Sequence, residues 1–284
     1  MKKKLLVILS LILVLALTAC GSDKNEDTKK VKIGVSGSDG EQWPIIKELA
    51  AKEGIEIELI EFTDYTLPNI ALADGDIDLN SFQHIAFLSQ FELENKAGLV
   101  PIGSTVIAPL GVYSNKIKDI KEIKKGDKIA IPDDPSNLGR SLLLLESAGF
   151  IELEEDTGIF GDLSNIKSNR LDLDIIPMVA QQTPRVMDDV VASIINNGIA
   201  GQAGLDPVDD PIHLEDGNDE NARPYVNIFA AREEDKDNET LLKIVEFYHT
   251  EAVEEAVTKE TNGGSLILNF TTDELTEVLK TLTK

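Results

Sequence analysis

The sequence is poor in the residues that form covalent cross-links and metal sites. Cys20 is the only cysteine among 284 residues, so no intrachain disulfide can form and the fold has to depend on its hydrophobic core. The three histidines, His84, His213 and His249, have no cysteine partner and no H-E-x-x-H spacing. This pattern does not indicate a zinc site, and we expect no metal and no other cofactor.

Motifs typical of enzymes are also missing. The segment 34–40, GVSGSDG, is not a G-x-S-x-G motif because its fifth residue is serine, and it is not G-x-G-x-x-G either. The segment from Asp74 begins like a calcium loop, but Leu79 stands where the loop needs glycine and Ile85 where it needs glutamate. No Ser/His/Asp set can be recognised in the sequence. We therefore expect a protein that is not an enzyme.

Positive charge is scarce in this chain. It has 27 basic and 51 acidic residues, which gives a formal net charge of −24. Such a surface repels nucleic acids and anionic lipid head groups, so we expect no nucleic-acid partner. A small zwitterion that binds one buried arginine is compatible with this composition, because only the local field at the site acts on it.

One long hydrophobic run stands at the start of the sequence. It covers residues 5–17, follows three lysines, and is too short to span a membrane comfortably. The small residues before Cys20 predict a signal peptide over residues 1–19 and a lipobox in which this cysteine receives lipid such as palmitate. We expect the mature protein to be anchored to the cell membrane and to face the extracytoplasmic side; a plain signal peptide with an incidental cysteine is the alternative. Residues 20–30, which lack large apolar side chains, predict a flexible tether.

Beyond the tether, the hydrophobic pattern changes repeatedly between strand and helix periods. Strands that alternate with helices are typical of an α/β fold, in which ligands bind beyond the carboxyl ends of parallel strands. The segment 207–224 is rich in Asp, Asn and Pro, and we expect it to be exposed. The predicted strands are 31–35, 55–60, 77–79, 128–131, 173–177, 192–195 and 225–230. The predicted helices are 43–53, 68–73, 138–148, 183–189, 240–254 and 273–282.

An isolated arginine follows one of these strands, in the segment IPDDPSNLGR at 131–140. The two prolines indicate a turn, and Ser136 is a candidate N-cap for the helix that follows. Arg140 would then lie one turn inside the helix, near the end where free N–H groups gather. That arrangement can bind an anion. A solvated arginine on an ordinary helix is the alternative.

Several segments match one family in the same order along the chain. They are DYTLPN at 64–69, DIDLN at 76–80, FQH at 82–84, PLGVYS at 109–114, DPSNLGR at 134–140, and Tyr225 with Asn227. Together they resemble the NlpA family of substrate-binding lipoproteins, which includes the methionine-binding receptors of bacterial ABC importers. The resemblance implies a type II periplasmic-binding-protein fold, with two α/β lobes and a ligand cleft between them. Lobe 1 would be 31–112 plus 226–284, and lobe 2 would be 113–225.

The resemblance also implies a ligand and the residues that bind it. The ligand would be L-methionine or a closely related amino acid, delivered to an ABC permease and its ATPase. Arg140 and Asn137 would bind the α-carboxylate through charge-assisted hydrogen bonds of about 1.5–3 kcal/mol each. Asn196 and Asn227 would bind the ligand's backbone groups without adding charge. The side-chain pocket would consist of Tyr65, Phe82, His84 and Phe87, although the two phenylalanines and the histidine fit a place in the core equally well.

The sequence departs from the family pattern near this pocket. The family usually has proline and tyrosine where this chain has Ala86 and Phe87, and asparagine where it has Asp133. Without the tyrosine hydroxyl, a polar contact to the ligand would be lost. The ligand could therefore be methionine, another apolar amino acid or a methionine-containing dipeptide. A surface adhesin with no transport ligand is the remaining alternative.

Overall fold

The computed structural model describes residues 28–217 and 220–284. The predicted signal peptide, Cys20 and the tether up to residue 27 lie outside the described residues. Two large sheets, each with helices packed on it and each with its own hydrophobic core, divide the described chain into two lobes. This architecture confirms the predicted α/β class and the two-lobed binding-protein fold.

The first lobe is built on a six-stranded sheet. Its strands are β1 (Lys29–Val35), β2 (Ile55–Glu61), β3 (Leu79–His84), β4 (Leu99–Ile107), β12 (Val226–Arg232) and β13 (Leu266–Ile267). Its helices are α1 (Gln42–Lys52), α2 (Leu67–Ala73), α3 (Ile85–Asn95), α6 (Glu239–Tyr248), α7 (Glu251–Glu260) and α8 (Thr272–Leu282). The strand order is β13-β4-β12-β3-β1-β2. β1 runs parallel to β2 and β3, and β12 is antiparallel to β3 and β4.

The second lobe is built on a five-stranded sheet with the order β11-β5-β10-β6-β9. These strands are β5 (Gly111–Tyr113), β6 (Lys128–Pro132), β9 (Asp174–Met178), β10 (Ala192–Ile195) and β11 (His213–Leu214). A separate hairpin consists of β7 (Ile151–Leu153) and β8 (Ile166–Asn169), and the helices are α4 (Pro135–Ser147) and α5 (Asn197–Gln202). Short 3-10 turns lie at Ile120–Glu122, Gly158–Phe160, Leu163–Asn165 and Ala180–Val186, with two more at Glu220–Tyr225 and Glu233–Asp235.

The chain passes between the lobes twice, after β4 and after β11. The first passage falls between Ile107 and Gly111, because β5 pairs with β10 and β11 in the second sheet. The family resemblance predicts residues 111 and 112 in the first lobe, whereas their pairing places them in the second sheet. The second passage ends at Val226, and β12 then lies between β3 and β4 in the middle of the first sheet.

Two strands begin at positions other than those predicted. β1 starts at Lys29, inside the predicted tether, because this residue pairs with Ile55 and its N–H donates to Gly54 O at 3.0 Å. β3 starts at Leu79 and not at residue 77. Ile77 still belongs to the turn after α2, since its N–H donates to a carbonyl of that helix.

Two predicted helices also differ. The predicted helix 240–254 is two helices, α6 and α7, because the chain breaks at His249, whose ring nitrogen Nε2 lies 2.9 Å from Ser104 O in the sheet. The predicted helix 183–189 is a 3-10 segment over Ala180–Val186. In an α-helix over residues 180–186, the N–H of residue 184 would donate to Ala180 O, and Pro184 has no N–H.

Candidate functional site

A cavity of about 620 Å³ lies between the two lobes. This volume is within the range of about 300–1,000 Å³ that is typical of small-molecule sites. The cavity wall includes all eight residues that the sequence singled out for ligand binding: Tyr65, Phe82, His84, Phe87, Asn137, Arg140, Asn196 and Asn227. Five of them, including Asn227 on β12, belong to the first lobe and three to the second. Their contacts with a ligand stay predictions.

Helix α4 brings Arg140 to this cavity. The helix begins after Asp134, whose carboxylate accepts the N–H of Asn137 at 3.0 Å, with Pro135 in the first helical position. Ser136, the predicted cap, lies inside the helix, and its hydroxyl donates to Asp134 at 2.9 Å. An aspartate followed by proline is an effective start because the carboxylate accepts a free N–H and proline needs none. Arg140 is the sixth residue of the helix and is 3% exposed.

Glycine is needed immediately before this arginine. A Cβ on Gly139 would lie 2.2 Å from the carbonyl oxygen of Ile159. No side chain fits in that space, because the neighbour is backbone and cannot turn away. The close contact packs α4 against the 3-10 turn at Gly158–Phe160 and fixes the position of Arg140 in the cleft.

The guanidinium of Arg140 already has protein partners. Its Nε donates to Glu215 Oε1 at 2.8 Å, and its Nη2 donates to Glu215 Oε2 and, at 3.0 Å, to Ala108 O. The group also lies 4.4 Å from the ring centroid of Tyr225, in cation–π contact. A buried arginine would be costly without an opposite charge, and Glu215 supplies it.

A hydrogen-bond network crosses the cleft from His84 to the start of α4. The Nδ1 of His84 accepts the N–H of Phe87 at 3.1 Å, so its proton is on Nε2, which donates to Asn137 Oδ1 at 3.2 Å. The same oxygen accepts Asn196 Nδ2 at 2.8 Å, while Asn137 Nδ2 donates to both carboxylate oxygens of Asp134 at 2.9 and 3.0 Å. Both polar atoms of the Asn137 side chain therefore have hydrogen-bond partners within the protein.

Burial decides the charge states around this network. It lowers the pKa of His84 to about 3, with a smaller contribution from nearby Arg140, so the imidazole is neutral at physiological pH. Burial also raises the pKa of Asp134, against the lowering effect of hydrogen bonds from Asn137 and Ser136. Because His84 is neutral, Arg140 is the positively charged residue among those that line the cavity.

Three amides in the wall have groups available to a ligand. The buried Oδ1 of Asn196 has no hydrogen-bond partner in the described part of the chain, and neither has the buried Nδ2 of Asn197. Among the described residues, the side chain of Asn227 makes one long hydrogen bond, from its Nδ2 to Val106 O at 3.3 Å. A carboxamide oxygen without a partner in a buried position is suited to accept a hydrogen bond from an ammonium group.

Aromatic rings form the apolar part of the cavity wall. Tyr65 lies 5.9 Å from Phe82 and 6.0 Å from Phe87, and the two phenylalanines are 5.8 Å apart, all between ring centroids. His84 lies 6.3 Å from Phe87, edge to face. Burial, mainly, raises the pKa of the Tyr65 phenol, so it stays protonated. This group of rings is suited to an apolar or thioether side chain.

Sequence reasoning missed two residues of the site. Asp134 could have been found as the cap, since it precedes a proline and stands three residues before Asn137. Glu215 gave no signal: it lies in the segment 207–224, which was expected to be exposed, yet its side chain is 16% exposed and bound to Arg140. The expectation for this segment was wrong at β11 and Glu215, because pairing with β5 holds them against the second lobe.

Two further kinds of feature are absent from residues 28–217 and 220–284. No helix there has both the length and the apolar composition to cross a lipid bilayer. No group of three or more His, Cys, Asp or Glu residues in those ranges is arranged to bind a metal ion.

The fold and the cavity define a two-lobed solute-binding protein. The model of the NlpA lipoprotein family matches residues 31–268, and the chain belongs to this family. It is 41% identical to the D-methionine-binding lipoprotein MetQ of Salmonella typhimurium over 261 residues, which are 90% of this chain and 94% of that protein. It is also 41% identical to outer membrane lipoprotein 3 of Mannheimia haemolytica, over 90% of this chain and 95% of that protein.

Solved structures give the same result. Protein PG110 from Staphylococcus aureus is 46% identical, with a TM-score of 0.87 over 89% of this chain and 99% of that one. A nutrient-binding protein from Burkholderia cenocepacia, bound to methionine, is 39% identical, with a TM-score of 0.79. The match covers 84% of this chain and 99% of that one. The substrate-binding protein of a methionine transporter from Streptococcus pneumoniae is 34% identical, with a TM-score of 0.79. The match covers 84% of this chain and 95% of that one.

Proposed function

We propose that this protein is a receptor that binds methionine between its lobes and delivers it to an ABC importer. The observation that carries the proposal is the presence, in one cavity, of a buried arginine, an unpartnered amide oxygen and a group of aromatic rings. These are complementary to the carboxylate, the ammonium and the thioether of methionine, respectively. The names of the relatives from Salmonella typhimurium and Streptococcus pneumoniae point to the same ligand.

The energies of these contacts are sufficient for a specific receptor. Each charge-assisted hydrogen bond contributes about 1.5–3 kcal/mol. Burial of the methionine side chain adds roughly 1.5–3 kcal/mol, and contact of its sulfur with aromatic rings about 0.3–1.5 kcal/mol. None of these groups is an activated nucleophile, and the site is one of binding.

The anchor and the transport partner belong to the same proposal. Lipid on Cys20 would hold the protein at the extracytoplasmic face of the cell membrane, where an ABC permease with its ATPase would receive the ligand. Membership of a lipoprotein family supports the anchor, and the relative that belongs to a methionine transporter supports the partner. The strongly acidic composition argues against nucleic acid as a partner.

One observation favours a second candidate ligand. The cavity wall extends past the eight residues named above to Asp39, Gln202 and Glu260. Polar groups in this extension could receive an additional residue, so a methionine-containing dipeptide is the second candidate. Another apolar amino acid would fit the same aromatic group.

The first experiment identifies the ligand directly. The domain without its signal peptide is purified from cells and denatured, and the released small molecules are identified by mass spectrometry. Methionine in near-stoichiometric amount would support the proposal, and calorimetry with both enantiomers would then give the stereochemical preference. Release of another amino acid or a dipeptide would mean that this molecule, and not methionine, is the ligand. No release, together with no calorimetric binding of any of these, would contradict the receptor function.

A further inference from the structure

The guanidinium of Arg140 has one edge bonded to the protein and one edge without protein partners. Arginine carries five N–H donors. Three of them, on Nε and Nη2, donate to Glu215 and Ala108. The two on Nη1 have no partner within residues 28–217 and 220–284.

Glu215, the charged partner on the bonded edge, does not line the cavity. Arg140 and Ala108 are part of the cavity wall, whereas Glu215 and Tyr225, which contact the guanidinium, are not among the residues that line it. Glu215 therefore does not occupy the place of a ligand carboxylate. It pairs with the arginine from outside the cavity wall.

Glu215 is itself held by the backbone between the lobes. Its N–H donates to Leu110 O at 3.0 Å, and its Oε2 accepts the N–H of Leu110 at 3.0 Å. It directly follows β11, which pairs with β5. A carboxylate fixed in this way on both its backbone and its side chain cannot turn towards the cavity without breaking these bonds.

We propose that Glu215 is a positioning residue for ligand binding. It holds Nε and Nη2 of Arg140 and thereby directs Nη1 to the carboxylate of the ligand. It also balances the charge of the buried arginine while the cleft is empty. This inference rests on the proposed function, since it concerns how the same site binds an amino acid.

A double-mutant cycle tests whether Glu215 acts through Arg140. The variant Glu215→Gln keeps the shape but brings N–H donors against those of Arg140 and Leu110, so the arginine loses its orientation. We expect the Kd for methionine to rise at least tenfold in Glu215→Gln and at least tenfold in Arg140→Ala. The double variant should bind no more weakly than Arg140→Ala alone, because without the arginine there is nothing left to position.

The control is Glu246→Gln, which removes an exposed carboxylate that is paired with Lys243 and does not line the cavity. It should bind like the wild type. Unchanged or tighter binding by Glu215→Gln would overturn the inference, as tighter binding would make the glutamate a competitor of the ligand. Losses that multiply in the double variant would also overturn it, because they would indicate a general structural role. If Glu215→Gln does not fold, Glu215→Asp, too short to keep both contacts, takes its place in the cycle with the same expectations.

A measurement without ligand separates this inference from the proposed function. In the ligand-free wild type, the Nε–H of Arg140 should exchange slowly with solvent by NMR, and in Glu215→Gln it should exchange at least tenfold faster. Fast exchange in the wild type would overturn the positioning role even if methionine binds. Failure of the wild type to bind methionine or its relatives, with slow exchange retained, would overturn the proposed function and leave the orientation of Arg140 by Glu215 supported.

Discussion

His84 on the first lobe and Asn137 on the second are joined by a hydrogen bond of 3.2 Å across the cleft. Asn137 in turn accepts from Asn196 and donates to Asp134 at the start of α4. The imidazole is neutral because burial and nearby Arg140 lower its pKa to about 3. The bond between the lobes is thus made without charge, and Arg140, which is paired with Glu215, is the positively charged residue among those that line the cavity.

This neutral histidine gives a prediction for stability against pH. The pKa of His84 is about 3 in the folded protein and about 6.5 in the unfolded chain. Between these values the unfolded chain binds a proton that the folded protein does not, so the free energy of unfolding falls as the pH falls. The slope from this residue alone is at most about 1.4 kcal/mol per pH unit, and the effect disappears above about pH 6.5, where the histidine is neutral in both states.

The variant His84→Gln tests this slope in the ligand-free protein. Glutamine can still donate to Asn137 but does not titrate, so chemical denaturation should show a weaker loss of stability on acidification than in the wild type. The raised pKa of Asp134 contributes with the opposite sign, but it is common to both proteins and cancels in the difference. The matched control is His213→Gln, at a half-buried histidine. It should weaken the dependence of the free energy of unfolding on pH less than His84→Gln does. Parallel profiles for His84→Gln and the wild type would contradict the assignment.

Asn196 gives a prediction that separates affinity from stability. Its Oδ1 is buried without a partner in the described chain, while its Nδ2 donates to Asn137. We expect Asn196→Ala to weaken methionine binding by about 1.5–3 kcal/mol, the range for a hydrogen bond to a charged group. Stability without ligand should change by no more than about 1 kcal/mol, since one neutral hydrogen bond is lost and one unsatisfied oxygen is removed.

Calorimetry and thermal unfolding of the same preparation make this comparison. The matched control is Asn115→Ala, which removes an exposed amide bonded to Asp188 in the same lobe and should leave the Kd unchanged. Equal losses of affinity in both variants, or a loss of stability in Asn196→Ala with normal affinity, would show that the unpartnered oxygen does not face the ligand.

Phe87 gives a prediction about ligand selectivity. Its ring lies edge-on to Tyr65 and Phe82, at 6.0 and 5.8 Å. A sulfur next to such rings gains about 0.3–1.5 kcal/mol over a methylene group. The wild type should therefore prefer methionine to norleucine, which has the same shape without sulfur, and Phe87→Leu should reduce this preference. Phe270→Leu, at a ring that lies outside the cavity wall, is the control. A preference for methionine that is equal in all three proteins would exclude Phe87 from the ligand pocket.

The fold could be predicted from the sequence where a local pattern decides the structure. The ordered motifs and the alternation of strands and helices gave the two α/β lobes. β4 and α3 were not predicted, for different reasons. β4 contains Pro101 and Gly103, which are unusual in a central strand; the proline lies beside an irregular pairing with β12, and the glycine is needed because a Cβ would lie 2.2 Å from the Val245 side chain. α3 follows β3 with no loop, and its cap is the ring of His84, which is not a usual capping residue.

The site could be predicted only where its residues belong to motifs. Asn137 and Arg140 lie three residues apart on one helix, and the family resemblance brought in the distant residues of the wall. Glu215 could not be found in this way, because it lies 75 residues from Arg140 and its segment resembles an exposed loop in composition. A buried ion pair between distant residues depends on the packing of two strands, β5 and β11. No local pattern in either segment encodes it.

The charge balance at Arg140 predicts which form of the ligand binds. The arginine is already paired with Glu215, so the empty site has no net positive charge to attract an anion. A zwitterion brings its own ammonium, which Asn196 Oδ1 can accept, whereas the α-hydroxy acid analogue of methionine brings only a negative charge. We expect this analogue to bind at least tenfold more weakly in calorimetry at neutral pH, a difference of about 1.4 kcal/mol. In Asn196→Ala the difference in affinity between methionine and this analogue should become smaller, because the variant has lost the acceptor that distinguishes them. Equal affinity of the wild type for both ligands would mean that the ammonium is not recognised, and the ligand would then have to be sought among simple carboxylates.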